Sequence, residues 1–127
     1  ARDRLRAGCT RRAGVARADG FALNVSNYIA TAETVTYGDA VSARLGGKRY
    51  VIDTSRNGVG GVRGEWCNVS GRAVGASPTT TPGPTNVDAF LWLKVPGESD
   101  GTCNGGPPAG HWWPEYALDI AKRGWGL

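Results

Sequence analysis

The sequence predicts an α/β fold of about three parallel βα units that belong to a larger barrel-like domain. Short, continuous apolar runs alternate with segments of helical periodicity, which is typical of strands buried on both faces of a parallel sheet. Three strands do not close a barrel, and a three-stranded parallel sheet would leave both edges open. We therefore expect the remaining strands to lie outside these 127 residues, and the open edges to favour self-association of the chain on its own.

The predicted strands cover residues 21–25, 49–52 and 89–93. Apolar residues at intervals of three and four predict a helix over residues 33–45, which Gly46 and Gly47 end. A last helix begins at Pro114, a residue suited to a first helical turn. Residues 2–18 could form a weak helix that two glycines disfavour. Residues 58–86 are predicted to be a long irregular loop, and loops of that length are usually functional or disordered.

Charge and hydropathy exclude several classes of protein. The net charge of +4 is concentrated in the first 17 residues, which hold six arginines and one aspartate, so a basic folded face for nucleic acid is not indicated. No apolar run approaches the roughly 18 residues that would span a membrane. A single histidine, His111, leaves a Ser/His/Asp catalytic triad without support. We expect no cofactor.

Three cysteines are present, at positions 9, 67 and 103. Cys67 and Cys103 lie in loops rich in glycine and proline, where a disulfide could clamp two excursions of the chain. A zinc site is the alternative, but one histidine and no C-x-x-C pair argue against it. A disulfide would imply a secreted protein and would leave Cys9 free.

Polar residues follow each predicted strand, over residues 24–28, 53–56 and 94–100. Because the carboxyl ends of parallel strands share one rim, these residues predict a single site. Glu98 and Asp100 stand two residues apart after a Pro-Gly break. We interpret this pair of carboxylates as part of a functional site rather than as ordinary solvated surface residues. Asp88, which flanks the third strand, is better explained by a turn or capping role.

The tryptophans allow two interpretations. Trp66 lies in a polar loop and could be a sugar-stacking platform or a core anchor, whereas Trp92 is expected in the core. Trp112 and Trp113 open the last helix, and one of them should pack inward. Exposed tryptophans would also suit a non-catalytic carbohydrate-binding module, an alternative whose usual architecture is an antiparallel sandwich.

Several motifs resemble the C-terminal part of glycoside hydrolase family six, the actinobacterial-type cellulases. They are residues 51–58 (VIDTSRNG), 65–68 (EWCN), 87–94 (VDAFLWLK) and 96–101 (PGESDG), with further similarity over 21–28 and 109–121. The resemblance covers residues 15–127 as part of one catalytic domain, while residues 1–14 match poorly. It implies a distorted, TIM-like β/α barrel, a secreted and monomeric parent enzyme, and inverting hydrolysis of β-1,4-glucan such as cellulose.

The resemblance also implies roles for individual residues. Asp100 matches the family's proposed catalytic base, and Arg56 matches the arginine that pairs with it. Lys94 and Glu98 match residues that bind glucose near the cleaved bond, Trp66 a sugar-stacking tryptophan, and Asn24 a strand-end asparagine near the site. Cys67 and Cys103 match a family disulfide. The family's general acid comes from earlier strands, so we expect it to be absent from this chain.

Overall fold

The computed structural model describes residues 12–61 and 64–127, and in them it confirms the α/β prediction. Three parallel strands pair in the order β1-β2-β3. Two helices accompany them, and short 3-10 turns lie at Val15–Arg17 and Cys103–Gly105. The elements are β1 (Gly20–Leu23), α1 (Thr31–Arg44), β2 (Arg49–Asp53), β3 (Val87–Leu91) and α2 (Pro114–Trp125).

The predicted third strand is displaced. The apolar run predicts a strand over residues 89–93, but β3 ends at Leu91 and Leu93 is 47% exposed. The cause is a polar contact: the main-chain N–H of Lys94 donates to the carboxylate of Asp53 at the end of β2. The chain therefore leaves the sheet before its apolar run is finished.

The core between the sheet and α1 is centred on Tyr50, Ile52, Val87 and Phe90. Helix α1 approaches β2 closely because Gly38 faces the ring of Tyr50, where an added Cβ would lie 2.4 Å from ring atom Cζ. The Tyr50 hydroxyl donates toward Asp39 Oδ1 (2.9 Å) and the Val35 carbonyl (3.1 Å) on the same helix. The helix and the central strand are thus joined by packing and by hydrogen bonds.

A second apolar cluster fixes α2 against the long loop. Val74 packs on Tyr116 and Ile120, with Trp92 and Trp113 partly buried beside them. The Val74 N–H also donates to the Ile120 carbonyl (3.1 Å). The prediction that Trp92 lies in the core is only partly confirmed. Its ring also stacks on that of Trp125, with centroids 6.4 Å apart, and Trp125 is largely exposed.

The long loop is mostly irregular, as predicted, but it also protects the sheet. Thr79 pairs with Phe90 in both directions, each N–H donating to the other's carbonyl at 3.0 Å. The outer edge of β3 is therefore covered at its centre, which corrects the expectation of an entirely open edge. The edge of β1 has no paired strand among the described residues.

The predicted weak helix over residues 2–18 lies largely outside the described residues, as does Cys9. Its described end is a 3-10 turn at Val15–Arg17, preceded by Gly14 with a φ of 85°. In the part of the chain that the structure describes, no helix combines the length and hydropathy needed to cross a bilayer.

Candidate functional site

The segments that follow the three strands converge on Asp100, as predicted. Its side chain is 6% exposed and meets a positive charge on each oxygen. Arg56, after β2, donates from Nη1 to Oδ2 at 2.7 Å. Lys94, after β3, places Nζ 3.4 Å from Oδ1. Tyr28, after β1, directs its hydroxyl at Oδ2 from 3.4 Å.

This environment keeps Asp100 ionised. Burial alone would raise the pKa of its carboxyl, but hydrogen bonds from Arg56 and from the Asn68 main chain favour the charged form. The positive charges of Arg56 and Lys94 act in the same direction, and together these interactions hold the pKa of Asp100 below its usual range. A carboxyl of this kind stays ionised at neutral pH and carries a fixed negative charge.

Arg56 is fully buried and held on several sides. Its guanidinium lies 4.4 Å from the centroid of the Tyr28 ring, and Nη2 donates to the Ser26 carbonyl at 2.5 Å. Burial alone would lower the pKa of Arg56, but its hydrogen bond to Asp100 and nearby negative groups raise it instead. Arg56 therefore gives Asp100 a charged partner in one fixed orientation.

Asn68 is a site residue that the sequence reasoning missed. It is 2% exposed, and its main-chain N–H donates to Asp100 Oδ2 at 2.9 Å. In return its Oδ1 accepts from the Asp100 N–H at 2.8 Å, while Nδ2 donates to the carbonyls of Gly101 (2.7 Å) and Cys103 (3.0 Å). Its φ of 48° is a left-handed conformation that asparagine tolerates better than most residues, so an Asn in a loop was the available signal.

A buried pair of tyrosines holds the main chain of Val69, the residue after Asn68. The hydroxyls of Tyr28 and Tyr116 lie 3.0 Å apart. The Val69 N–H donates to the Tyr28 hydroxyl (3.2 Å), and the Tyr116 hydroxyl donates to the Val69 carbonyl (3.1 Å). Burial and this mutual hydrogen bond raise the pKa of Tyr28 well above its ordinary value. Both hydroxyls therefore stay neutral and act as hydrogen-bonding groups.

The disulfide between Cys67 and Cys103 is present, with Cα atoms 6.1 Å apart, which confirms the predicted pairing. It ties the residue before Asn68 to the loop after Asp100. The carbonyl of Cys103 also accepts from Asn68, so the covalent link and the hydrogen bonds hold the same two loops together.

The other predicted site residues, Trp66, Glu98 and Asn24, differ in exposure and in their contacts. Trp66 is 59% exposed and free to present a ring face, so it is not a core anchor. Glu98 is partly exposed, and its main chain pairs with Trp112. Asn24 uses its side chain within the fold, since Nδ2 donates to the Asp53 carbonyl (2.9 Å) and Oδ1 accepts from Ile29 N–H (3.0 Å).

A cleft of about 550 Å³ opens beside Trp66. Three aromatic side chains line it together with amide and carboxylate groups, a combination suited to the faces and hydroxyls of a sugar. The residues that give it this character are Glu65, Trp66, Asn104, Trp113 and Tyr116.

Known proteins with similar sequences and structures are glycoside hydrolases. The sequence model of the glycosyl hydrolases family 6 matches residues 2–124. The chain belongs to this family. Endoglucanase A from Cellulomonas fimi is 57% identical over 110 residues, which cover 87% of this chain and 24% of that protein. Endoglucanase 1 from Streptomyces halstedii is 52% identical over 115 residues, covering 85% and 35%.

Solved structures of family 6 enzymes have the same fold in the matched region. The endoglucanase Cel6 from Mycobacterium tuberculosis, solved with a methyl-cellobiosyl-thio-cellobioside, superposes with a TM-score of 0.91 at 49% identity. The match covers 98% of this chain and 44% of that one. Endoglucanase Cel6B from Humicola insolens gives 0.79 at 31% identity, covering 95% and 42%.

The 127-residue chain thus spans about a quarter to a third of the curated relatives named above. The resemblance to the cellulase family is confirmed, and with it the assignment to a distorted β/α barrel. The alternative of an antiparallel carbohydrate-binding sandwich is not supported, because all three strands pair in parallel.

Proposed function

We propose that this chain forms one side of the active site of an enzyme that hydrolyses β-1,4-glucosidic bonds of cellulose and related glucans with inversion. The observation that carries the proposal is the environment of Asp100, a nearly buried carboxylate paired with Arg56 and Lys94. Membership of glycosyl hydrolases family 6 supports the reaction class. The cellobiose-based ligand named with the Mycobacterium tuberculosis enzyme supports the substrate class.

Inversion requires a carboxylic acid that protonates the leaving oxygen and a carboxylate that serves a water on the other face, about 6.5–9.5 Å apart. The lowered pKa of Asp100 suits the second role, or electrostatic stabilisation of the oxocarbenium-like transition state. Its Oδ2 accepts from Arg56, Asn68 and Tyr28, so Oδ1, beside Lys94, is the oxygen placed to meet a water.

The general acid must be a different residue. Glu98 lies two residues from Asp100 on the same loop, so it is poorly placed to reach the opposite face of a sugar ring. Asp53 is fully buried, with both oxygens bonded to main-chain N–H groups. We infer that the acid is supplied by sequence outside residues 1–127, in the part of the relatives that this chain does not match.

The proposed substrate contacts surround Asp100. Trp66 stacks on a glucose ring, and Lys94 and Glu98 bind hydroxyls of the unit near the cleaved bond. Asn24 contributes through its hold on the loop after β1, since its amide is already engaged there. These residues lie within the proposed catalytic domain over residues 15–127. The disulfide, which is typical of oxidising compartments, supports a secreted enzyme, and the monomeric state of the parent enzyme stays a prediction.

Endo-acting cleavage is the better-supported mode. Relatives at 47–57% identity carry endoglucanase names, whereas a probable cellobiohydrolase from Aspergillus terreus is 34% identical. An endo-acting enzyme lowers the viscosity of carboxymethylcellulose early, before many reducing ends accumulate. A viscosity fall that merely tracks reducing-end release would indicate exo action instead.

The catalytic role is tested by Asp100→Ala in the full-length enzyme. We expect turnover on soluble β-glucan to fall by about 10²–10⁴-fold, because a general base acts on the transition state, with much less change in substrate binding. Trp66→Ala should do the reverse, weakening binding more than turnover. Asp88→Ala is the matched control, since Asp88 is exposed and pairs with Arg49 away from the site. Near-normal turnover of Asp100→Ala would refute the proposal.

A further inference from the structure

Asp53 is a carboxylate at the end of β2 that contacts the segments following all three strands. It is fully buried. Its Oδ2 accepts from the main-chain N–H of Ser26, after β1, at 3.0 Å, and from that of Lys94, after β3, at 3.1 Å. Its Oδ1 accepts from Ser55 N–H, directly after β2, at 2.9 Å.

A turn-forming role explains one of these three bonds. An aspartate commonly accepts from the N–H two residues ahead, which accounts for Ser55. The bonds to Ser26 and Lys94 cross 27 and 41 residues of sequence and do nothing for a local turn. Asp88 shows the contrast, because its carboxylate is about half exposed and pairs with Arg49 at the surface.

The three donors are adjacent to the groups that hold Asp100. Ser55 precedes Arg56, whose guanidinium bonds Asp100 Oδ2. Lys94 donates its main-chain N–H to Asp53 while its ammonium faces Asp100 Oδ1. Ser26 provides the carbonyl that accepts from Arg56 Nη2. A single buried carboxylate thus binds the main chain at Lys94, at the residue before Arg56, and at Ser26, whose carbonyl Arg56 contacts.

We propose that Asp53 is a positioning residue for the reaction, which sets Arg56 and Lys94 against Asp100 by binding the main chain at the ends of the three strands. It touches neither substrate nor the reacting atoms. The inference rests on the proposed function, since it assigns a role to Asp53 through Asp100. It predicts that losing Asp53 weakens the electrostatic control of Asp100, in addition to any loss of stability.

Three charged or titratable groups face Asp100: Arg56 after β2, Lys94 on the same loop as Asp100, and Tyr28 after β1. Tyr116 of α2 lies behind Tyr28 and bonds its hydroxyl. The two tyrosines are neutral, so the two cations provide the charge that favours ionised Asp100. If either cation is displaced, the pKa of Asp100 rises toward its ordinary value. The acid limb of the kcat/KM profile, which reports the essential base of the free enzyme, then moves to higher pH.

The test is Asp53→Asn in the full-length enzyme. Asparagine has one acceptor oxygen, so it keeps either the Ser55 bond or the Ser26 and Lys94 bonds, and each arrangement loosens one cation. We expect the acid limb to move up by about 0.5–1 pH unit and kcat to fall by about tenfold, on the scale of a small displacement in a catalytic site. The same profile for Asp88→Asn should match the wild type.

Asp53→Glu provides a second variant that keeps the negative charge but displaces both oxygens. An acid limb that stays in place in the folded variants, with only a lower melting temperature, would overturn the inference and leave Asp53 as a stabilising residue. Failure of both variants to fold where Asp88→Asn folds would likewise make it a folding residue. If Asp100→Ala keeps its turnover, the proposed function fails instead, so the two failures are separable.

Discussion

Asn68 and Asp100 hold each other through a reciprocal pair of hydrogen bonds. The main-chain N–H of Asn68 donates to Asp100 Oδ2 at 2.9 Å, and the main-chain N–H of Asp100 donates to Asn68 Oδ1 at 2.8 Å. Each residue thus fixes the other's side chain and main chain at once. Asp100 cannot change rotamer without breaking its bonds to Arg56 and to Asn68.

The first prediction concerns Asn68→Asp. The change keeps the acceptor for the Asp100 N–H but replaces the Nδ2 donor with an oxygen that faces the Gly101 and Cys103 carbonyls. It also adds a negative charge beside Asp100, which raises the pKa of Asp100. We expect the acid limb of kcat/KM to move to higher pH and the free energy of unfolding to fall by about 1–3 kcal/mol.

Asn104→Asp is the control for this experiment. Asn104 is also left-handed, with a φ of 51°, and also donates to a carbonyl, that of Cys67, but it is exposed. Water can replace its hydrogen bond, so the free energy of unfolding should stay near that of the wild type. Stability is the quantity compared, because Asn104 lines the cleft beside Trp66 and its substitution could alter substrate binding. Equal effects of the two substitutions would mean that the reciprocal pair has no special role.

The second prediction is a loss of stability in acid. Because the folded-state pKa of Asp100 is depressed, its contribution to stability is complete above the unfolded-state pKa of about 3.9. It is lost as the pH falls through the folded-state value. Denaturant unfolding between pH 7 and pH 2 should show this loss in the wild type and a flatter profile in Asp100→Asn. Asp119→Asn, which removes an exposed pair with Arg123, should leave the profile unchanged. A wild-type slope in Asp100→Asn would contradict the prediction.

The site was partly predictable from sequence. Parallel strand ends share a rim, so the order of strands and helices predicted that the segments holding Arg56, Lys94 and Asp100 meet. The pairing of Arg56 with Asp100 itself was implied by the resemblance to the family. Asn68 was not predictable in this way, because its bonds to Asp100 join two irregular loops 32 residues apart. The loop conformation that brings them together depends on the disulfide and on the Tyr28–Tyr116 pair rather than on a local pattern.

The apolar pattern predicted the wrong bounds for the third strand. The run over residues 89–93 continues beyond the last residue of β3 because the strand's end is set by the bond from Lys94 to Asp53. Hydrophobic periodicity reports which residues prefer burial and carries no information on a polar contact 41 residues away. The same limit applies to Asp53, whose three donors come from three separate segments.

The third prediction concerns the disulfide, which closes a loop with a sequence separation of 36. The paired variant Cys67→Ser with Cys103→Ser should lose about 3–4 kcal/mol of unfolding free energy through the larger entropy of its unfolded chain. Peptide mapping of the oxidised protein under non-reducing conditions should recover Cys67 linked to Cys103 and a free Cys9. Cys9→Ser serves as the control and should leave stability unchanged. Recovery of Cys9 in the bridge would contradict the assignment.

The last prediction concerns residues 1–127 expressed alone, which we expect to show no measurable β-1,4-glucanase activity. Neither Glu98 nor Asp53 is placed to act as the general acid opposite Asp100, and protonation of the leaving oxygen typically contributes about 10²–10⁴-fold. Substrate positioning would be lost as well, because the chain matches 44% of the Mycobacterium tuberculosis enzyme and presents an incomplete barrel.

The same preparation should self-associate. Among the described residues no strand pairs with the outer edge of β1, whereas the edge of β3 is partly covered by Thr79, so pairing through β1 is the favoured contact. Light scattering measures the association, and reducing-sugar release from carboxymethylcellulose and cello-oligosaccharides measures the activity. The full-length enzyme is the positive control, and its Asp100→Ala variant gives the background. A monodisperse 127-residue monomer that releases sugar at the rate of the full-length enzyme would mean that a complete site, with its own acid, exists within this chain.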